Sequence, residues 1–273
     1  MTSSPTRTAR WRIPLAAGAA LLLSAAGVAA GVGEPRAAAV GAEAECAADG
    51  FCEDFEDQTG TTPSGRWDTQ VRDCSGTGTA SVDTSVAHEG TRSIRVDGGG
   101  GYCNHAFIGT TLDEVPAGSP LYVRFWINHQ TPLPYDHVSF LAMQDTADND
   151  RDLRMGGQNQ ALQWNRESDD ATLPAQSPVG VGLSSPLPVG EWSCLEFRLD
   201  PSAGTLETWL NGESVEGLIV DGSPTQDVDQ QWLARGGWHP SLANLRFGWE
   251  SYGGATDTLW FDDIVVGTSR TGC

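Results

Sequence analysis

Between Leu153 and Pro174 the string LRMGGQNQALQWNRESDDATLP gathers a guanidinium, several amides and an indole into a strand-like run. At period two, Arg154, Gly156 and Gln158 share one face, with Leu153, Met155 and Gly157 on the other. A second run then sets Ala161, Gln163 and Asn165 against Gln160, Leu162 and Trp164, so that amides and an indole can stand beside Arg154. A guanidinium fork, fixed amides and an aromatic plate are what a sugar groove needs, because sugars present hydroxyls, pyranose faces and sometimes carboxylates. An edge hairpin with a solvated polar face would give the same pattern.

If the sugar is a uronic acid, these residues suit β-elimination. Removing the C5 proton develops a dianion unless the substrate carboxylate is neutralised, the role open to Arg154 and Gln158. A base must reach C5 and an acid must protonate the leaving O4, and the candidates are His105, His137 and Tyr252. An ionised Tyr252 needs a cation such as Arg154 beside it to lower its pKa. Buried, hydrogen-bonded histidines and a groove-lining tyrosine are the plainer readings of the same residues.

Binding without cleavage is the alternative, as in an accessory protein for cellulose or hemicellulose, with Trp164, Trp126, Trp249 and Tyr252 as stacking platforms and Gln160 and Asn165 as amide contacts. Hydrolysis by two carboxylates is the third, and would look first to Glu167, Asp169 and Asp170. No strand-borne pair of acids at alternating positions supports it, and Asp169 and Asp170 suit capping of the next turn.

The elements that position these residues read as short strands separated by glycine-rich turns. Leu121 to His129 has the strongest alternation, and Thr79 to Val82, Ser93 to Val96, His105 to Ile108, Asp136 to Met143, Trp192 to Leu199, Leu245 to Trp249 and Thr258 to Val266 follow suit. Thr205 to Val215 is a hairpin about Asn211-Gly212, the favoured type I′ pair. No apolar pattern of period 3.6 persists over a dozen residues, so helices are expected to be few and short. The fold class is all-β, a two-sheet antiparallel sandwich of jelly-roll type.

Arg7, Arg10 and Arg12 precede an apolar run from Ile13 to Ala30, the pattern of a secretory signal peptide. Residues 1–44 are therefore expected to be a signal and short leader, and 45–273 one secreted domain. The net charge of −20, with no lysine at all, argues against nucleic acid and anionic membranes as partners. A polysaccharide is the expected partner, and the protein is expected to be a monomer. Cys46, Cys52, Cys74, Cys103, Cys194 and Cys273 all lie beyond the leader, and an even count in an exported chain reads as disulfides, although the sequence permits several connectivities. The expected pairs are Cys46 with Cys52, Cys74 with Cys103 and Cys194 with Cys273.

Glu56 near the first strand and Asp262-Asp263 near the last would meet at one edge of a jelly roll, where the turn His88 to Arg92 can add carbonyl oxygens. Such a set suits a hard cation such as Ca2+, with Asp262 the side-chain ligand, since alternation turns Asp263 the other way.

Taken together, the strings Gly101 to His105, Asp136 to Val138, Leu153 to Gln158, Asn165 to Pro174, Phe247 to Tyr252 and Trp260 to Asp263 resemble the core domain of the fungal cellulose-induced protein and its actinobacterial relatives. That family is in turn similar to glucuronan and alginate lyases of jelly-roll fold. The resemblance spans Phe51 to Cys273. It implies a concave groove, a polysaccharide lyase activity, a structural calcium near Glu56, Glu89, Arg92 and Asp262, and disulfides Cys74–Cys103 and Cys194–Cys273. Asp152 stands where the family's pattern has a histidine close to the groove, and is expected to line the substrate site.

Overall fold

The computed structural model describes residues 46, 49–70, 76–101 and 104–273. Its strands are β1 (Phe51–Glu53), β2 (Asp68–Gln70), β3 (Thr79–Asp83), β4 (Ser93–Gly98), β5 (Ala106–Thr111), β6 (Leu121–His129), β7 (Val138–Asp145) and β8 (Arg151–Gln158). They continue as β9 (Ala161–Arg166), β10 (Thr172–Leu173), β11 (Ser193–Asp200), β12 (Thr205–Leu210), β13 (Glu213–Ser214), β14 (Asn244–Ser251) and β15 (Asp257–Gly267). Two helices of five residues each, α1 (Pro178–Gly182) and α2 (Gln230–Ala234), lie among the loops.

The strands form two antiparallel sheets, ordered β13-β12-β11-β6-β15-β4-β3, with β1 on β15, and β10-β9-β8-β7-β14-β5-β2. This is the jelly-roll sandwich expected from the strand pattern. First and last strands do pair, Phe51 opposite Val266. The expected strands are all present with ends moved by a few residues, while β2 and β10 are too short to show in the sequence. Asn211 and Gly212 both take positive φ, 51° and 86°, as a type I′ turn requires.

Alternation supplies the core. Val123, Phe125 and Ile127 of β6 point inward with no exposed surface. Phe125 meets Phe247 of the facing sheet with ring centroids 5.0 Å apart, and Phe247 meets Phe261 at 5.4 Å. Farther along, Trp164 packs edge-on against Phe197 at 4.9 Å. Each such side chain contributes about 2 to 3 kcal/mol of apolar burial.

Two irregularities bend the second sheet. From Arg154 to Gly156 is two residues on β8, but the matching step is three on β7 (Ala142 to Ser139) and four on β14 (Arg246 to Glu250). Each strand adds a residue at this row, as β-bulges do, and the ladder twists there. Gly156 is glycine for this reason: a Cβ would fall 1.9 Å from the Val138 carbonyl oxygen.

The disulfides Cys46–Cys52 and Cys194–Cys273 are formed. The second fastens the C-terminus to β11, where Glu196, fully buried, accepts from the backbone of Thr271 and Gly272 and from Arg270. The expected Cys74–Cys103 pair and the signal peptide lie outside the described residues. No helix among the described residues is long and apolar enough to cross a membrane.

Candidate functional site

The face of the second sheet turned away from the core is polar, and its centre is one carboxylate. Glu250 on β14 lies two strands from Arg154 on β8, in the row containing Ser139 and Gly156. Its Oε1 accepts from Arg154 Nη1 at 3.5 Å, from His105 Nε2 at 3.1 Å and from the phenol of Tyr252. Arg154 also contacts the Tyr252 hydroxyl and gives Nε and Nη2 to Asn165 Oδ1, at 3.1 and 2.5 Å. His137 stacks on Tyr252, rings nearly parallel at 8° and centroids 5.0 Å apart. The structure thus brings together Arg154, His105, His137, Tyr252 and Asn165. Gln158 stands four residues along β8 on the same face as Arg154, half-buried.

These contacts fix protonation. Burial raises Glu250, but the hydrogen bond from His105, the Arg154 charge and the Tyr252 hydroxyl outweigh it and hold the carboxyl at about 2. Burial and the Glu250 charge push Tyr252 well above its ordinary value, against the pull of Arg154. Tyr252 is therefore a phenol, not a phenolate: the guanidinium is beside it as expected, but the carboxylate takes its proton's hydrogen bond. Burial and Arg154 lower His137 to about 4, so it is neutral at neutral pH. Its Nε2 is enclosed without a hydrogen-bond partner among the described residues.

Other expected site residues are placed differently. Trp164 is no platform: β9 turns it into the core, fully buried, with its indole N–H donating to Thr208. Trp249 is likewise buried, its N–H on the Gly99 carbonyl, and Trp126 belongs to the outer face of the other sheet, stacked on His88. Gln160 is exposed in the turn between β8 and β9, where it and Asn159 take positive φ. Asp152 does face the same way as Arg154, but it is bound at 2.5 Å by Arg246, itself buried. Arg246 thus stands as a second guanidinium on the face that carries Arg154. Asp169 caps the next turn through the Ala171 N–H and pairs with Arg166.

The sequence reading missed Glu250 and Arg246. Glu250 precedes Tyr252 by two residues, the spacing that puts both on one face of a strand, and that is the signal that could have found it. It also missed Gln176, whose amide joins that of Gln163 at 2.9 Å over β9.

At the edge of the other sheet, one turn bridges the two carboxylates of the expected cation site. Glu56 accepts from the backbone of Thr91 and Arg92 at 2.6 and 2.7 Å, and Asp262, fully buried, accepts from His88 N at 2.7 Å. Glu89 is exposed in that turn. Arg92 faces Glu56 at 3.7 Å, so its side chain opposes a cation and cannot ligate one. Among the described residues, no three His, Cys, Asp or Glu side chains stand together as a metal set. A hard cation fits here only through Asp262 and Glu56 with carbonyl oxygens of the turn, the kind of mixed oxygen set calcium accepts.

The family described as polysaccharide-lyase-like, Cip1-like core domain, matches residues 54–269. Among solved structures, the cellulose induced protein Cip1 is 44% identical with a TM-score of 0.75, over 82% of this chain and 99% of its own. The endo-β-1,4-glucuronan lyase of Trichoderma reesei superposes at 0.45 with 12% identity, over 77% of this chain and 94% of its own. The CBM22-2 xylan-binding domain of Paenibacillus barcinonensis Xyn10C does so at 0.39 with 15% identity, over 79% and 97%. No curated protein matches. The chain belongs to the polysaccharide-lyase-like family of the Cip1-like core domain.

Proposed function

We propose that this is an exported carbohydrate-active protein whose outer second sheet binds a glycan, and that its chemistry is β-elimination on a uronate-containing polysaccharide such as glucuronan. The observation that carries this reading is the convergence of Arg154, His105 and Tyr252 on Glu250, with His137 stacked on Tyr252. In the reaction the C5 proton passes to the neutral imidazole of His137, and its electron pair forms the C4=C5 double bond. The C4–O4 bond breaks and O4 takes the proton of the Tyr252 phenol. Arg154 stabilises the charge that grows on the substrate carboxylate and then the phenolate, while Gln158, about 13 Å farther along the same strand, is placed for the hydroxyls of a neighbouring sugar and not for that carboxylate. Glu250 holds the phenol protonated until it is needed.

A second reading is favoured by a specific feature. Both arginines of the face carry their own carboxylates, Arg154 with Glu250 and Arg246 with Asp152, so the surface is close to neutral. Such a face suits a neutral glycan, cellulose or xylan, bound without cleavage. Incubation with glucuronan, alginate, xylan and cellulose separates the two. Ultraviolet absorbance of an unsaturated product marks the lyase; retention on cellulose or xylan with neither absorbance nor new reducing ends marks the binder.

Export agrees with the two disulfides and the arginine-led apolar run before residue 45. A structural calcium held by Asp262, Glu56 and the carbonyls of the turn at residues 88–92 completes the proposal; it would tie β15 to that turn and takes no part in the chemistry.

A further inference from the structure

Tyr135 is 70% exposed, the most exposed of the large hydrophobic side chains among the described residues. It lies in the loop between β6 and β7, two residues before His137, so the two Cα atoms are at most about 7 Å apart. That is close to the length of one sugar residue.

The loop beneath this ring is anchored at several points. The carbonyl of Pro134 accepts the Gln160 N–H at 2.9 Å, and that of Tyr135 accepts the Asn159 N–H at 3.2 Å, which pins the loop to the tip of the β8–β9 hairpin. Leu133 is buried against Gly157, where a Cβ would come within 2.8 Å of its side chain. At the far end the His137 carbonyl accepts the Tyr252 N–H at 3.1 Å. An exposed aromatic ring on an anchored backbone is pre-organised, and little freedom is lost when a ligand covers it. The neighbouring amides of Gln158, half-buried, and Gln160, exposed, supply donors and acceptors for hydroxyls.

We propose that Tyr135 is the stacking platform of a second sugar subsite, adjoining the Arg154–Glu250–Tyr252 cluster and taking the C–H face of a pyranose ring. The inference rests on the reading of this face as a glycan groove, and it adds a binding contact outside the reacting centre. An aromatic face accepts a neutral or an acidic ring, so the platform serves either substrate class.

The test is calorimetric titration with two probes, cellohexaose and a β-1,4-glucuronan hexasaccharide, on the wild type, Tyr135→Ala and Tyr135→Phe. The wild type is expected to bind at least one probe. Tyr135→Ala should weaken that binding about tenfold, roughly the loss of one good aromatic contact, and Tyr135→Phe should keep it within about twofold. Thermal unfolding should be unchanged in both variants, because the ring is exposed. Equal affinity of Tyr135→Ala and wild type overturns the platform and leaves the groove standing. Failure of the wild type to bind either probe overturns the groove and the platform with it.

Discussion

The guanidinium of Arg154 and the carboxylate of Glu250 meet 3.5 Å apart with β7 lying between their strands, and both side chains are more than nine-tenths buried. A buried pair of this kind depends on both members. Replacing one leaves the other charge in a medium that solvates it poorly, at a cost of roughly 3 to 5 kcal/mol. Glu250→Gln is therefore expected to lower unfolding free energy by about 3 kcal/mol in a denaturant titration. An unchanged midpoint would mean that the pair is not formed in solution.

The same carboxylate gives a pH signature. Its folded value of about 2 lies below the ordinary 4.5, so ionised Glu250 stabilises the fold. That contribution is whole above pH 4.5 and is lost as the pH falls towards 2. The difference in melting temperature between wild type and Glu250→Gln should narrow over that window. A constant difference down to pH 2 contradicts the assignment.

His137 adds to the same loss of stability in acid, but through its neutral form. Its folded value of about 4 lies below the ordinary 6.5, because burial and Arg154 favour the neutral ring. The unfolded chain then binds a proton that the folded one does not, so this group is without effect above pH 6.5 and costs stability as the pH falls from 6.5 to about 4, by at most about 3 kcal/mol. His137→Phe should remove that part of the acid slope. Calorimetric melting at closely spaced pH values would show it, and an identical slope in the variant would refute the depressed value.

Cys194 and Cys273 are 79 residues apart in sequence, and a cross-link over a loop of that length restricts the unfolded chain strongly. The double replacement by serine should cost about 4 kcal/mol, measured by denaturant unfolding. A loss below about 1 kcal/mol would show that the tail is held by Glu196 alone.

If calcium occupies the turn between Glu56 and Asp262, it binds only the folded chain and must stabilise it. A chelator should lower the melting temperature of the wild type and leave that of Asp262→Asn nearly unmoved. No response in the wild type would remove calcium from the account.

Much of the sandwich was legible because its signal is local. Leu121 to His129 alternates without interruption, and the observed strand has those bounds. Asn211-Gly212 carries its turn type in its own side chains. The site was legible only in part. Arg154 and Tyr252 could be expected on one surface, and the spacing of two put Glu250 on the face of Tyr252, but the row that brings Glu250 to Arg154 could not be read. An extra residue on β7 and another on β14 set which of their side chains share a row with Gly156, and period two does not register a bulge. Trp164 failed for a related reason: alternation told which residues go together, while only packing against Phe197 decided which side is the interior. The partner of Asp152 was out of reach as well, since Arg246 lies 94 residues away in the chain.

Elimination at this cluster is decided by initial rates of absorbance increase on glucuronan, for the wild type beside Tyr252→Phe. The wild type should generate the unsaturated product, and loss of the phenolic proton donor should slow it by about a hundredfold or more without changing the fold. Equal rates in the two proteins, or no product from the wild type on any uronan, would contradict elimination at this cluster.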